Sequence, residues 1–239
     1  MWRLIILAET NPYKNMAIEE ALLNSVECDA SPDTIRLWKC TPSAVVGWSQ
    51  GAETELNIDN CRHFNVSIVR RFTGGGAIYY DLGNINWTFV CRKNSWPQKM
   101  NNLSQVFESF SLPLVHALAR LDVEAEFKPP NAICVNGSKI SGMAMYIKRQ
   151  AILCHGTLLV DSDLELMRKV LRKMKDSVTN VKSEARTILT VRDVEEAIER
   201  TAMTVLDVRT VDRELRSQEQ ESLTDYPLSK YIPLTPEQK

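Results

Sequence analysis

The sequence predicts an α+β protein in which many short strands are interspersed with clustered helices. Two observations support this prediction: apolar runs of strand length recur between turn residues, and a few longer segments place apolar residues at helical spacing. Strands and helices do not alternate one by one, so a strict βαβ order is not expected. With 239 residues, 44% of them apolar and 25% charged, the chain can bury a core without disulfides or metals.

The first part of the chain is predicted to hold one helix and most of the strands. Residues 3–8 form the first predicted strand. A helix over residues 16–26 follows, with Asn15 as its N-cap, because an asparagine side chain can accept a hydrogen bond from the N–H groups of the first turn. Turn residues then separate five more predicted strands, over residues 35–38, 44–48, 66–69, 77–80 and 86–90.

The middle of the chain is predicted to hold a helix and a pair of strands. The helical segment covers residues 104–121, and Pro113 inside it predicts a kink or a break because proline lacks the N–H that a helix needs. Strands over residues 132–135 and 151–160 flank a turn at Asn136-Gly137.

The last part of the chain is predicted to be mainly helical. Ser162 and Glu165 have the spacing of a capping box, which predicts a helix over residues 163–174. A further helix is predicted over residues 194–205. The polar, proline-containing segment from Arg213 onward is predicted to be loosely structured.

Composition and charge exclude several classes of protein. Lys plus Arg number 29 against 30 for Asp plus Glu, whereas a nucleic-acid binder is expected to carry excess positive charge. No apolar run approaches the ~20 residues of a membrane span, and the run at residues 4–8 is too short for a signal peptide. The six cysteines form no C-x-x-C pair. We therefore expect a cytoplasmic protein with reduced thiols.

The most informative stretch is Arg70-Arg71-Phe72-Thr73-Gly74-Gly75-Gly76-Ala77, between two predicted strands. Consecutive glycines are costly in backbone entropy, but they let the main chain approach a ligand and present N–H groups to an anion. The two arginines add forked donors suited to phosphate or carboxylate. A flexible hairpin would explain the glycines alone, but together with the arginines they indicate an anion site.

Two later stretches carry further candidate residues. Lys139 begins a strand and is framed by Gly137 and Gly142, so it could place one cation over a phosphate or carboxylate; the alternative is a solvated turn lysine. His155 lies near Thr157 in an apolar strand, where a histidine is more often a core residue than a catalyst. No G-x-G-x-x-G or G-K-[ST] fingerprint of a phosphate-binding loop is found in the chain.

Taken together, these stretches resemble the lipoate–protein ligases of the biotin/lipoate ligase superfamily. The matching patterns are R-R-x-T-G-G-G-A-I-Y-x-D-L-G-N-x-N, N-G-x-K-I-S-G and H-G-T-L-L-V, with further matches at residues 11–20 and 46–50. The resemblance covers about residues 1–192. It implies the fold of class II aminoacyl-tRNA synthetase cores: a mixed, mainly antiparallel sheet packed with helices.

The resemblance also implies a two-step reaction and a set of site residues. Lipoate and ATP with Mg²⁺ would give lipoyl-AMP and pyrophosphate, and a lysine of an acceptor protein would then displace AMP. Lys139 would be the central catalytic residue, in contact with the acyl carbonyl and the phosphate. The residues implied to bind the acyl-adenylate are Arg71, Thr73, Gly74, Gly75, Gly76, Ala77, Asn84 and Gly142, with His155 and Thr157 at its nucleotide end.

Two kinds of protein partner follow from the resemblance. One is a lipoyl-acceptor domain, as in the E2 subunit of a 2-oxoacid dehydrogenase or the glycine-cleavage H protein. The other is a separate accessory-domain protein, because bacterial ligases carry an additional C-terminal domain for which this sequence leaves little room. We expect a catalytic core over residues 1–192, and a helix with a loose tail of the same domain over residues 193–239. No nucleic-acid or membrane partner is expected.

One departure from the family pattern leaves the metal ligand unassigned. The family has an acidic residue in an N-D-[IL] setting, whereas this chain has Asn131-Ala132-Ile133. An alanine cannot bind Mg²⁺, which prefers oxygen ligands. The alternative function is therefore a transferase that uses an acyl donor or preformed lipoyl-AMP. A thioester route would need an accessible thiolate, but Cys134 and Cys154 lie in apolar strands.

A basic cluster is predicted on the helix that follows Ser162. Its spacing is typical of a solvated helix face, and docking of an acidic acceptor is the alternative. The cluster consists of Arg168, Lys169, Arg172, Lys173 and Lys175.

Overall fold

A computed structural model describes residues 2–95, 102–174 and 176–233. Its strands are, in chain order, β1 (Trp2–Ile6), β2 (Asp33–Trp38), β3 (Ser43–Val46), β4 (Ser67–Arg70), β5 (Ile78–Tyr80), β6 (Asn84–Arg92), β7 (Ala125–Lys128), β8 (Ala132–Val135), β9 (Ser138–Ile147), β10 (Ala151–Leu159) and β11 (Val208–Asp212). Its α-helices are α1 (Pro12–Glu27), α2 (Ala52–Glu55), α3 (Ile58–His63), α4 (Leu103–Ala119), α5 (Leu164–Val170), α6 (Val181–Glu184), α7 (Val191–Val205) and α8 (Ser217–Ser222). Two short 3-10 helices, Leu223–Asp225 and Leu228–Tyr231, follow α8.

A large mixed sheet lies at the centre, in the strand order β11-β1-β2-β6-β10-β9-β8-β7. Strand β1 runs parallel to both of its neighbours, and every other pair in this sheet is antiparallel. A small sheet has the order β4-β3-β5. The architecture is therefore α+β with a mainly antiparallel sheet, as predicted.

The two faces of the large sheet differ in chemistry. Along β6, Ile85, Trp87 and Phe89 pack into the main core with α4 and α7. Because side chains alternate along a strand, Asn84 and Thr88 point to the opposite face, which is covered by α1 and the small sheet. Both are fully buried. A buried polar layer thus forms between the sheet and its cover, and the candidate site is built there.

The first helix begins earlier than predicted. Asn11 is its N-cap and accepts hydrogen bonds from the N–H groups of Tyr13 and Lys14, both at 3.0 Å. Pro12 occupies the first turn, where its fixed φ suits a helix and its missing N–H does no harm. The prediction of Asn15 as N-cap is therefore wrong. That side chain is buried inside the helix and donates to the carbonyl oxygens of Glu9 and Lys39.

Other boundaries also differ from the predictions. Helix α4 continues through Pro113 without a break. Helix α5 is capped by Asp163, not by Ser162, and it ends at Val170. As a result Arg168 and Lys169 of the basic cluster lie on α5, whereas Arg172 and Lys173 follow it. Beyond it, Arg172 donates to the Leu56 carbonyl oxygen and Lys173 to the Glu55 carboxylate, so both contact the end of α2. Lys175 lies outside the described residues.

The segment after Arg213 is more ordered than predicted as far as residue 233. Glu219 on α8 is buried and pairs with buried Arg3 of β1. The buried Tyr231 donates its hydroxyl to Glu20 of α1 at 2.8 Å. Residues 234–239 of the predicted tail lie outside the described residues. The division into a core at 1–192 and an addition at 193–239 remains a prediction.

Candidate active site

The glycine loop, residues 71–77, connects β4 to β5 and is held by one buried arginine. Arg71 is 2% exposed, and its guanidinium donates to the carbonyl oxygens of Gly74 (2.6 Å) and Gly76 (2.8 Å). Burial lowers the pKa of Arg71. A Cβ on Gly74 or Gly76 would meet no atom within 4 Å, so both face open space, whereas Gly75 has φ +93°. Arg71 therefore shapes the loop through its carbonyl oxygens and leaves its outer surface accessible.

A second loop, residues 47–50, packs against the glycine loop. A Cβ on Gly47 would lie 2.4 Å from the Gly75 carbonyl oxygen, so this close approach requires a glycine. The Trp48 N–H donates to the Thr73 carbonyl oxygen at 2.9 Å. Arg70 donates to the carbonyl oxygens of Gly47 (3.0 Å) and Trp48 (2.8 Å). The guanidinium groups expected to bind an anion are thus both engaged with loop carbonyls.

Lys139 lies at the start of β9 and is held through both its side chain and its main chain. Its Nζ donates to the Asp176 carboxylate at 3.1 Å, and the lysine side chain is 26% exposed. Its N–H donates to the Ser177 carbonyl oxygen (2.8 Å), and its own carbonyl accepts from the Thr179 N–H (3.1 Å). A Cβ on Gly142 would lie 3.0 Å from Cε of Lys139. This glycine therefore makes room for the lysine side chain.

Two clefts meet at Lys139. The α5 cleft, of about 610 Å³, is lined by Ala77, Ile78, Tyr79, Lys139, Ser141, Gly142, Thr157, Leu159, Met167, Leu171, Lys173, Met174, Asp176 and Val178. The glycine-loop cleft, of about 500 Å³, is lined by Arg71, Gly75, Gly76, Ala77, Ile78, Tyr80, Asn131, Lys139, Gly142, Met143, Ala144, His155 and Gly156. The linings share four residues, which are Ala77, Ile78, Lys139 and Gly142.

His155 and Thr157 lie on the same face of β10 but line different clefts. The resemblance places both at the nucleotide end of the ligand, whereas His155 lines the glycine-loop cleft and Thr157 the α5 cleft. Asn84 lines neither cleft. Its amide nitrogen donates to the Tyr79 carbonyl oxygen at 3.0 Å, which ties β6 to β5, and its Oδ1 has no hydrogen-bond partner among the described residues.

A buried chain of hydrogen bonds links the glycine loop to α1 through His155. The Nε2 atom of His155 lies 2.8 Å from the Thr73 hydroxyl, and its Nδ1 lies 2.5 Å from the Glu19 carboxylate. Glu19 also accepts a hydrogen bond from Thr88 and lies 3.8 Å from the Arg36 guanidinium. Burial alone would raise the pKa of Glu19, but His155, Arg36 and Thr88 lower it overall. Burial lowers the pKa of Arg36 to about 10.

The sequence analysis missed Glu19, Arg36 and Thr88 as site residues. A signal for Glu19 was present, because it lies one helical turn before Leu22 and Leu23 and two turns before Val26, so it shares a face with apolar residues. Charged side chains are rarely fully buried unless they are paired. A charged residue on the core face of a predicted helix therefore indicates a buried partner.

The α5 cleft carries one carboxylate suited to a metal ion. Ala132, at the position where the resemblance implies an acidic residue, is buried opposite Gly142 of β9. Asp176 is the acidic residue in the cleft lining, and Mg²⁺ commonly takes one or two carboxylates together with substrate phosphates. This donor set fits a phosphate-held Mg²⁺. The described residues contain no group of three or more His, Cys, Asp or Glu that could hold a metal by themselves.

The cysteines near the site are not suited to nucleophilic catalysis. Cys134 and Cys154 are both buried, and burial raises the pKa of each thiol. A thioester route needs an accessible thiolate.

No described helix is long and apolar enough to cross a membrane.

Comparison with known proteins places this chain in a family. The model of the lipoyl protein ligase A/B catalytic domain matches residues 11–202. The lipoate-protein ligase LplJ of Bacillus subtilis is 34% identical over 168 residues, which make up 70% of this chain and 48% of that protein. The chain spans about half the length of the curated relatives it matches.

Two solved structures share the fold. A structure of the bi-partite lipoate protein ligase of Thermoplasma acidophilum matches with a TM-score of 0.81 at 24% identity, covering 95% of this chain and 93% of that one. A lipoate-protein ligase A bound with ATP matches with a TM-score of 0.82 at 24% identity, covering 96% of each chain. The predicted fold is thereby confirmed. The chain belongs to the family of lipoyl protein ligase A/B catalytic domains.

Proposed function

We propose that the chain is the catalytic part of a lipoate–protein ligase, which activates lipoate with ATP and transfers the lipoyl group to a lysine of an acceptor protein. The main support is the position of Lys139, where the α5 cleft and the glycine-loop cleft meet. An acyl-adenylate has two halves joined through a carbonyl and a phosphate. A single cation between two clefts suits such a molecule.

In the first step, a lipoate carboxylate oxygen attacks the α-phosphorus of ATP, and pyrophosphate leaves with the electron pair of the broken P–O bond. This chemistry depends mainly on alignment and on neutralising charge. The Lys139 ammonium group would stabilise the charge on the phosphorus oxygens. Asp176 would help to hold Mg²⁺, which supplies further charge neutralisation at the phosphates.

In the second step, the neutral amine of the acceptor lysine attacks the acyl carbon of lipoyl-AMP. The carbon–oxygen bond to AMP breaks, AMP leaves with the electron pair, and the new amide nitrogen loses a proton. Negative charge develops on the carbonyl oxygen, and the same Lys139 ammonium group would stabilise it.

The two clefts would hold different parts of the acyl-adenylate. The apolar side chains of Leu159, Met167 and Leu171 suit a purine ring, so we assign the nucleotide to the α5 cleft with Thr157 beside it. The lipoyl carbonyl would lie at the glycine-loop cleft near His155. The remaining residues assigned to the ligand are Arg71, Thr73, Gly74, Gly75, Gly76, Ala77, Asn84 and Gly142. Of these, Arg71 and Asn84 would act by shaping the loop and the strands around the ligand.

Two protein partners belong to this proposal. One is a lipoyl-acceptor domain. The other is a separate accessory protein that assists the ATP-dependent step, and it is supported by the likeness to a ligase described as bi-partite and reported with an E2 lipoyl domain.

The function is tested by mass spectrometry of an acceptor domain after incubation with the purified chain, lipoate, ATP and Mg²⁺. The reaction is run with and without an accessory-domain protein. We expect the acceptor to gain one lipoyl group, and an acceptor with its target lysine changed to arginine to gain none. No mass gain in any combination, even from supplied lipoyl-AMP, would contradict the proposal.

A further inference from the structure

We infer that Glu19 is a positioning residue of the site: it fixes which nitrogen of His155 carries the proton and, through His155, orients the Thr73 hydroxyl in the glycine loop. The effect on ligand binding rests on the proposed function. The hydrogen-bond geometry does not, so the two can be tested separately.

One end of the hydrogen-bond chain sets the direction at Thr73. The Arg71 guanidinium can only donate, and its Nε–H is shared between the Thr73 hydroxyl oxygen and the Gly74 carbonyl oxygen, both at 3.1 Å. Thr73 accepts this bond, so its own proton is available to donate. The His155 Nε2 atom, 2.8 Å away, is the acceptor. An unprotonated Nε2 gives the buried Thr73 hydroxyl proton its acceptor.

The other end of the chain sets the direction at Glu19. The Trp38 indole N–H can only donate, and it donates to the Thr88 hydroxyl oxygen at 3.2 Å. Thr88 in turn donates its proton to Glu19. An ionised carboxylate only accepts, so the His155 Nδ1 atom, 2.5 Å from Glu19, carries the imidazole proton. Donors from both ends thus converge on Glu19.

Burial makes this arrangement costly to disturb. Glu19, Thr73 and Thr88 are fully buried and His155 nearly so. A buried polar group without a hydrogen-bond partner has lost its hydration and gains no bond in exchange. If the proton of His155 moved to Nε2, both Arg71 and His155 would donate to the Thr73 oxygen. The Thr73 proton would then lose its acceptor, and the loop would have to shift.

The protonation state of His155 can be measured directly by ¹⁵N NMR of the histidine rings. The chain has three histidines, so the signal that remains in a His63→Gln/His116→Gln variant belongs to His155. We expect the Nδ1–H form in this background and a shift toward the Nε2–H form when Glu19→Gln is added. Glu20→Gln is the matched control, because Glu20 is on the same helix but bonds to Lys230 and Tyr231. An Nε2–H form without the Glu19 change, or no response to that change, would overturn the inference.

A double-mutant cycle tests the link to the glycine loop. Binding of a non-hydrolysable sulfamate analogue of lipoyl-AMP is measured for Glu19→Gln, Thr73→Val and the double variant. Each single change should weaken binding about tenfold, and the double variant should be little worse than either, because both break the same chain. Thr73→Ser, which keeps the hydroxyl, should bind within about twofold of the unaltered chain. Fully additive losses would overturn the inference.

Folding and function are controlled separately. If Glu19→Gln does not fold by circular dichroism, Thr73→Val still tests the inference, since Glu19 should keep His155 in the Nδ1–H form there; an Nε2–H form would overturn it. If the unaltered chain does not bind the analogue, the proposed function fails, while the NMR result still decides the role of Glu19.

Discussion

Gly142 and Lys139 are so close that a Cβ on the glycine would stand 3.0 Å from Cε and 3.2 Å from Nζ of the lysine. A methyl group there must displace the lysine by a few tenths of an ångström. Since catalysis is sensitive to small misplacements, we predict that Gly142→Ala slows lipoyl transfer from lipoyl-AMP several-fold without lowering the melting temperature. Single-turnover transfer and thermal unfolding measure the two quantities. An unchanged transfer rate would show that the lysine position is not critical.

Removal of the lysine itself should be far more damaging. Loss of one group that stabilises developing charge typically costs about 10²–10³-fold in rate, so we predict at least a ~100-fold loss in both steps for Lys139→Ala. Pyrophosphate release measures the first step and lipoyl transfer the second. Lys182→Ala, which removes an exposed lysine paired with Asp161, serves as a control for general loss of charge. Near-normal transfer by Lys139→Ala would reject its catalytic role.

The glycine loop should not tolerate a side chain at its central position. Gly75 has φ +93°, where a residue with a Cβ is strained, and a Cβ would lie 3.0 Å from the Arg71 guanidinium. We predict that Gly75→Val weakens binding of the lipoyl-AMP analogue at least tenfold, about the effect of losing one hydrogen bond to a charged group. Gly51→Ala, at an ordinary φ of −77°, is the control. If calorimetry shows that Gly75→Val binds the analogue with unaltered affinity, the three glycines form only a hairpin and are not needed for ligand binding.

The two chemical steps should differ in their need for a partner. Adenylation requires a metal and a site closed to water, whereas transfer starts from an activated acyl group. With Ala132 where the resemblance implies an acidic residue, we predict that the 239-residue chain lipoylates an acceptor much faster from supplied lipoyl-AMP than from ATP and lipoate. Adding an accessory-domain protein should raise the ATP-dependent rate selectively. Equal and vigorous turnover in both assays by the chain alone would refute this prediction.

The buried Glu19 carboxylate predicts a pH dependence of stability. Burial favours a higher pKa for Glu19, but His155, Arg36 and Thr88 bring it below the ordinary value of 4.5. Such a carboxylate stabilises the fold above its unfolded-state pKa, and the contribution is lost as the pH falls through the folded-state pKa. Glu19 lies 3.8 Å from the buried Arg36 guanidinium, and removing one partner of a buried ion pair costs about 3 kcal/mol, so Glu19→Gln should lower the free energy of unfolding by about that amount at pH 7.

The difference in free energy of unfolding between the unaltered chain and Glu19→Gln should then narrow below about pH 4.5, where the Glu19 carboxylate of the unfolded chain becomes protonated. Urea unfolding at pH 7, 5 and 4 measures this difference, with Glu20→Gln as the parallel control. A difference that stays constant over this range would contradict a folded-state pKa of Glu19 below its unfolded-state value.

Local patterns were sufficient to predict the fold class and most strands, because apolar alternation and turn residues are properties of neighbouring positions. The start of α1 also had a local signal in Asn11-Pro12. This pair marks a helix start more strongly than Asn15 does, because proline is favoured at the first helical position. Strand β11 had none, because its pairing with β1 depends on residues distant in the sequence. In strand β9 the apolar positions are interrupted by Ser141 and Gly142. The part that this strand plays in the candidate site depends on Lys139 at its start.

The sequence motifs predicted several residues that line the clefts, but not the buried residues behind them or the contacts among them. The motifs identified Arg71, Lys139 and His155, and all three line one cleft. That Arg71 bonds to loop carbonyls follows from the path of the main chain through residues 74–76, which no pattern of residue types specifies. Likewise, a pattern cannot show that His155 and Thr157 open onto different clefts.

The pairing of β1 with β11 affects how the chain folds during synthesis. Strand β1 is synthesised before its partner β11, which ends at Asp212, so the backbone N–H and C=O groups along this edge of β1 stay unpaired until β11 has been made. The ion pair between the Arg3 guanidinium and the Glu219 carboxylate likewise cannot form until Glu219 has been synthesised. A stalled or truncated chain would therefore expose an open sheet edge, the kind of surface on which partly made proteins aggregate and chaperones act.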